Sequence, residues 1–148
     1  MRRVAGAALV LAGVVAGCSA PANGVQGRLV AIDDTGLADV PLEDGWIVAL
    51  PGPGGIDRLW PDLDERVPDD QLRYFHEPLD PDAVTEAGGI VAPVGGGGRF
   101  TLDVPAGPTL LCRLVDAEVQ GCAAVELLDG HGVHATVGEG GFFVTIPV

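Results

Sequence analysis

Apolar and polar residues alternate along one stretch of this chain: Phe100, Leu102 and Val104 are interleaved with Arg99, Thr101 and Asp103. A period of two predicts a strand that buries one face and wets the other. Residues 27–32 form a further strand candidate, closed by the turn-forming run Asp33-Asp34-Thr35-Gly36. Trp46-Ile47-Val48-Ala49-Leu50 is apolar without interruption and of strand length, which predicts a central strand covered on both faces. Pro51-Gly52-Pro53-Gly54-Gly55 ends it. Strands are expected again over 109–115 and 122–128, separated by a polar loop over 116–121. A last hairpin is expected to pair 133–137 with 142–148 across Gly138-Glu139-Gly140-Gly141. Short apolar runs punctuated by Gly, Pro and Asp predict an all-β domain over 25–148. About seven strands are enough for an antiparallel β-sandwich of two packed sheets.

Residues 51–97 break this rhythm and are expected to form a partly helical insertion rather than strands. Pro68-Asp69-Asp70-Gln71-Leu72-Arg73-Tyr74-Phe75 has a proline for a first helical turn, acids near the positive end of the dipole, and Leu72 and Phe75 on one face. Asp80 and Pro81 supply the N-cap and first position of a second short helix, and Gly88-Gly89 its stop. Connections this long are commonly functional, and Trp60, Tyr74 and Phe75 give this one apolar anchors. A partner site is therefore expected here, with Trp60, Tyr74 and Phe75 as contacts and Asp62, Asp64, Glu65, Asp69 and Asp70 as a charged rim. The same aromatics serve equally well to pack the insertion onto the sheet.

The first residues follow a different logic. Arg2 and Arg3 precede an apolar run over 4–16, too short to span a membrane as a permanent helix, and Gly17-Cys18-Ser19 follows. Val15-Ala16-Gly17-Cys18 resembles a lipobox, the motif at which bacterial lipoproteins are diacylated on the cysteine thiol and cleaved before it. The resemblance implies a signal peptide over 1–17, a lipid on Cys18, a flexible tether over 18–24 and an extracytoplasmic, membrane-anchored domain.

Gly27-Arg28-Leu29-Val30, then 36–42, then 46–50, and finally Gly98-Arg99-Phe100-Thr101-Leu102-Asp103-Val104-Pro105-Ala106-Gly107 resemble the carboxypeptidase regulatory-like domains of the transthyretin-like (prealbumin-like) sandwiches. The closing motif has a physical basis: glycine frees the first turn, the alternating apolar residues face the other sheet, and Pro-x-Gly makes a tight exit. Two departures stand out. Thr109 occupies the place of the family's usual aromatic, and the connection between the second and third matched strands is much longer than usual. The resemblance implies a transthyretin-like or immunoglobulin-like sandwich acting as an accessory or adhesive module without chemistry of its own. Transthyretin-like hydrolases carry a histidine-bearing site and a C-terminal tetrad that Thr145-Ile146-Pro147-Val148 does not match.

Composition narrows the partners further. The 148 residues carry 21 acids against 8 arginines and no lysine, a formal charge of −13, and loss of Arg2 and Arg3 with a signal peptide makes it more negative. Such a field repels nucleic acid phosphates and anionic headgroups, so no nucleic acid partner is expected. The expected partners are the membrane, through the lipid on Cys18, and an envelope protein or peptide. Of the 3 cysteines, Cys112 and Cys122 remain once Cys18 is lipidated. An even number in an exported chain points to a disulfide between them.

No catalytic set, metal site or cofactor is assigned. Ser19, in the tether, is the sole serine of the expected mature chain, so a buried serine nucleophile has no candidate. His131 and His134 have the odd spacing that puts two rings on opposite faces of a strand, and no further ligands stand at zinc spacing. Asp57, Asp62, Asp64, Glu65, Asp69 and Asp70, with Asp80, Asp82 and Glu86, are oxygen-rich but form no Asp-x-Asp-x-Asp-Gly loop. The glycine runs at 95–98 and 138–141 read as turns and flexible linkers, and Arg99 and Arg113 as outward-facing residues paired with local acids. A non-catalytic binding or structural module is expected. A small envelope hydrolase whose histidines or acids meet in the fold, and a surface protein that binds divalent cations, remain as alternatives.

Overall fold

The computed structural model describes residues 24–33, 35–36 and 39–147. The expected signal peptide, the lipobox with Cys18, and all of the tether but Gly24 lie outside them. So do Asp34, Leu37, Ala38 and Val148 of the sequence-derived turn and strand segments.

The domain is an all-β sandwich of two five-stranded sheets. In the first, β1 (Gly24–Ile32) runs through the middle. One edge of it is shared by β2 (Asp39–Pro41), antiparallel to its second half, and β6 (Arg99–Asp103), antiparallel to its first half. Its other edge pairs in parallel with β9 (Val133–Gly138), and the hairpin partner β10 (Gly141–Thr145) completes the sheet. The second sheet is built on β3 (Trp46–Pro51), β7 (Gly107–Val115) and β8 (Glu118–Leu127), with β4 (His76–Pro78) and β5 (Ile90–Pro93) at its two edges.

Among the described residues ten strands replace the expected seven, and β2, β4 and β5 are the three additions. Two of them lie in the 51–97 stretch expected to hold no β-structure. That stretch supplies both edge strands of the second sheet, because β4 pairs with β8 and β5 pairs with β3. Each is only three or four residues long and carries proline, so neither has the length or the alternation that marks a strand in sequence. Both expected helical segments of this stretch form, and a short helix that was not expected precedes them. α1 (Gly55–Leu59) follows the Pro51–Gly55 turn, a 3₁₀ helix spans Asp69–Tyr74, and α2 (Pro81–Glu86) is N-capped by the Asp80 carboxylate, which accepts from the Asp82 N–H at 2.9 Å. Pro68 sits one residue earlier than expected, at the N-cap of the 3₁₀ helix.

β3 is covered on both faces, as its unbroken apolar run predicts. Ile47 and Ala49 enter the core between the sheets with Leu29, Phe100, Leu102, Val104, Leu111 and Phe142. Val48 and Leu50 point the other way, into a second core beneath the 51–97 stretch with Leu59, Leu72, Phe75, Leu79 and Val84. Burying an aliphatic side chain of this kind is worth about 2 kcal/mol, so the second core is a structural layer in its own right. Arg58 fastens the layer down by donating to the carbonyl oxygens of Pro51 (2.7 Å) and Ala87 (2.5 Å).

Two turns differ from expectation. The 95–98 glycines form a hydrogen-bonded turn rather than a linker: the Gly95 N–H donates to Arg99 O (2.8 Å) and the Gly98 N–H to Gly95 O (3.1 Å). Gly98 has a φ of 73°, and a β-carbon there would collide with the Leu29 carbonyl oxygen, so a side chain is excluded. The β7–β8 hairpin turns on two residues, Asp116 (φ 51°) and Ala117 (φ 60°), and not across the polar loop 116–121. Alanine carries no signal for a left-handed turn, which is why the strand start at Glu118 is invisible in sequence. Arg113, expected outward, is buried at the end of the sandwich with its guanidinium 3.5 Å from Asp44, where β7 is irregular between Cys112 and Leu114.

Cys112 and Cys122 stand directly opposite each other on β7 and β8 and form a disulfide inside the second core, at 0% and 1% exposure. Closing a loop of this size stabilises by about 2.7 kcal/mol on the chain-entropy model. Burial adds a kinetic consequence, since a reductant reaches the sulfurs only when the covering layer opens. Free-thiol labelling in dithiothreitol should therefore stay near zero in the native protein and rise with unfolding by denaturant. Cys112→Ala/Cys122→Ala should lower stability by about 2–3 kcal/mol in urea melts.

Candidate functional site

The covering layer leaves one end of the second sheet open. There a pocket of about 360 Å³ opens between α1, the chain before the 3₁₀ helix, and strands β7 and β8. Gly55, Ile56, Val67, Leu72, Leu110 and Ala124 form its apolar walls, with Asp57, Arg66 and Asp69 at the rim. Gly55 permits the geometry: a β-carbon on it would lie 2.7 Å from Leu110 Cβ, so glycine lets α1 approach β7.

The predicted partner residues separate in the structure. Asp69 lines the pocket, and Asp62, Asp64 and Asp70 are exposed on the same stretch without lining it. Phe75 is 8% exposed and meets the half-buried Trp60 edge to face, with centroids 4.7 Å apart at 68°. The Trp60 indole N–H donates to Pro78 O at 3.0 Å. Phe75 thus lies in the core, which corrects the expectation that it faces a partner, while the half-buried Trp60 packs against it with its polar handle spent inside the fold. Tyr74 differs, being 44% exposed with its ring 4.9 Å from the Arg73 guanidinium. Phe143, from β10, lies on that same guanidinium at 5.4 Å and is 40% exposed. Arg66, Val67 and Ala124 were missed because nothing in their local pattern separates a pocket lining from any other surface.

The histidines are spread over the surface. His76 Nδ1 lies 3.7 Å from Glu118, His134 Nε2 lies 4.0 Å from Asp39, and His131 Nδ1 is 3.0 Å from the Asp129 carbonyl oxygen. Among the described residues no three His, Cys, Asp or Glu side chains gather closely enough to share a metal ion. A second, shallower pocket of about 370 Å³ lies on the outer face of the first sheet, where Gln26, Arg28, Arg99, His134 and Pro147 surround it. Its polar groups are an amide, two guanidiniums and an imidazole, a set that holds anions.

The two roles assigned to neighbouring aromatics can be separated by substitution. Phe75→Ala should cost about 3–4 kcal/mol of unfolding free energy, because it opens a cavity under Trp60. Tyr74→Ala should change stability by less than about 1 kcal/mol. Paired chemical denaturation curves measure both.

No protein-family model matches the sequence, and no curated protein is significantly similar to it. Among solved structures, one from Pseudomonas aeruginosa, described as a proposed carbohydrate binding protein, aligns with 80% of this chain and 89% of its own at 16% identity and a TM-score of 0.45.

Proposed function

We propose that this protein is a bacterial lipoprotein, held at the extracytoplasmic face of the cell membrane by lipid on Cys18, whose sandwich serves as a non-catalytic binding module at the cell envelope. One juxtaposition carries the anchor: a cysteine directly after Val15-Ala16-Gly17, at the end of an apolar run that two arginines precede. Ordinary secretion requires only small residues at that place, whereas lipidation requires the thiol. The domain behind it is of the carboxypeptidase regulatory-like type. Support comes from the Gly98–Gly107 motif, whose Phe100, Leu102 and Val104 all enter the core between the sheets.

The pocket beside Gly55 is where such a module takes its ligand. An apolar floor with one arginine and two aspartates on its rim suits a short peptide that inserts an apolar side chain and pairs its backbone and charges at the edge. Tyr74 and Arg73 lie on the same covering layer, outside the pocket lining.

Cys18→Ser should move the protein from the membrane fraction to the soluble extracytoplasmic fraction, with its disulfide and melting temperature unchanged. Retention of the variant in sedimented membranes would overturn the anchor. For the pocket, Ala124→Trp fills the apolar floor from an exposed strand position. Peptides selected by ligand-observed NMR against the parent should lose their signal with this variant; undiminished binding would place the site elsewhere.

A further inference from the structure

The outer face of the first sheet carries an arrangement at odds with the rest of this acidic chain. Along β1, Gln26 and Arg28 face outward while Val25 and Leu29 face the core. The register puts Arg28 directly opposite Arg99 of β6 on one side and His134 of β9 on the other, and His134 opposite Thr145 of β10. Arg99, Arg28, His134 and Thr145 therefore form one row across four strands, spaced by about 4.8 Å per strand. The shallow pocket of about 370 Å³ opens along this row.

Charge gives the row its meaning. Like charges directly opposite in an antiparallel pair destabilise a sheet, and this chain has 21 acidic residues with which to avoid that cost. Yet among the described residues neither Arg28 nor Arg99 forms an ion pair; the carboxylate that reaches the row is Asp39, 4.0 Å from His134. Arg28 is instead oriented by the neighbouring glycine turn. Its Nε donates to Gly97 O at 3.2 Å, and the Gly97 N–H in turn donates to the Glu43 carboxylate at 2.7 Å. That bond leaves the terminal nitrogens of Arg28 as donors, and Arg99 Nε would lie 3.9 Å from a β-carbon on the same Gly97, so both side chains converge on one turn. Two guanidinium forks with an imidazole and the Gln26 amide beside them match the geometry of an oxyanion, which each fork can bind through two N–H groups.

We infer that the Arg99–Arg28–His134 row is a binding site for an oxyanion, the carboxylate or phosphate of a ligand that lies across the outer face of the first sheet. The net charge of −13 repels anions from the surface as a whole, so saturable anion binding has to come from a local cluster. Bound charge would also relieve the opposition of the two arginines.

The purified protein, titrated at constant ionic strength with inorganic phosphate and separately with citrate, tests this by two-dimensional NMR and calorimetry. Saturable shifts centred on Gln26, Arg28, Arg99 and His134 are expected, and the tighter of the two probes identifies the preferred group. Arg28→Gln or Arg99→Gln should weaken binding about tenfold or more. Arg99→Gln should keep or raise the melting temperature in chloride alone, the opposite of what a purely structural arginine would do. Absence of saturation with both probes, shifts centred elsewhere, or an unchanged affinity in both variants would overturn the assignment. The map on the parent protein stands even where a variant fails to fold.

Discussion

A strand that is apolar on every residue needs cover on both faces, and β3 imposes that condition on this fold. Ile47 and Ala49 are satisfied by the opposing sheet in the ordinary manner of a sandwich. Val48 and Leu50, with Leu110, Leu114 and Val119 from the neighbouring strands, would face water if the sandwich were the whole structure. The chain between β3 and β6 resolves this by folding back over them. It places Leu59, Leu72, Phe75, Leu79 and Val84 onto the exposed side and adds β4 and β5 to the two edges of the same sheet. The result is three layers, two sheets and a cap, with two separate cores.

Several other features follow from that cap. The disulfide lies under it, which removes two sulfurs from solvent and ties β7 to β8 at the centre of the second core. Edge strands that would otherwise offer unpaired backbone to other chains are kept short and rich in proline. The 3₁₀ helix brings the Arg73 carbonyl oxygen to within 2.6 Å of where a side chain would begin on Gly121 and 2.5 Å on Gly141. Both positions have positive φ and are held by glycine, so the 3₁₀ helix of the cap packs closely on β8 and β10, one strand from each sheet.

The two candidate binding surfaces take opposite characters from the layers that build them. The pocket by Gly55 exists because a cap made of short elements cannot close perfectly over a twisted sheet, so its floor inherits the apolar side chains of the second core. Among the described residues no cap covers the outer face of the first sheet, and its floor is the wet half of alternating strands, where Arg28, Arg99 and His134 stand side by side on a face that also carries Asp39 and Asp103. A peptide suits the former and an oxyanion the latter, and neither needs the other.

Fold class, most strand positions, the Cys112–Cys122 pairing and the helix signals at Asp80-Pro81 were legible in the sequence, because each rests on local physics: a period of two, a cap residue, a turn residue, a cysteine count. The sequence also determined, through the unbroken run from Trp46 to Leu50, that something must cover both faces of β3. Only the tertiary structure decided what that cover is. Pairing of β4 and β5 with distant strands, the parallel contact of β1 with β9, and the burial of Arg113 and Phe75 depend on neighbours far away in the chain. The same holds for the arginine row: Arg28, Arg99 and His134 are ordinary surface residues one at a time, and become a cluster only when register aligns three strands that the sequence does not place side by side.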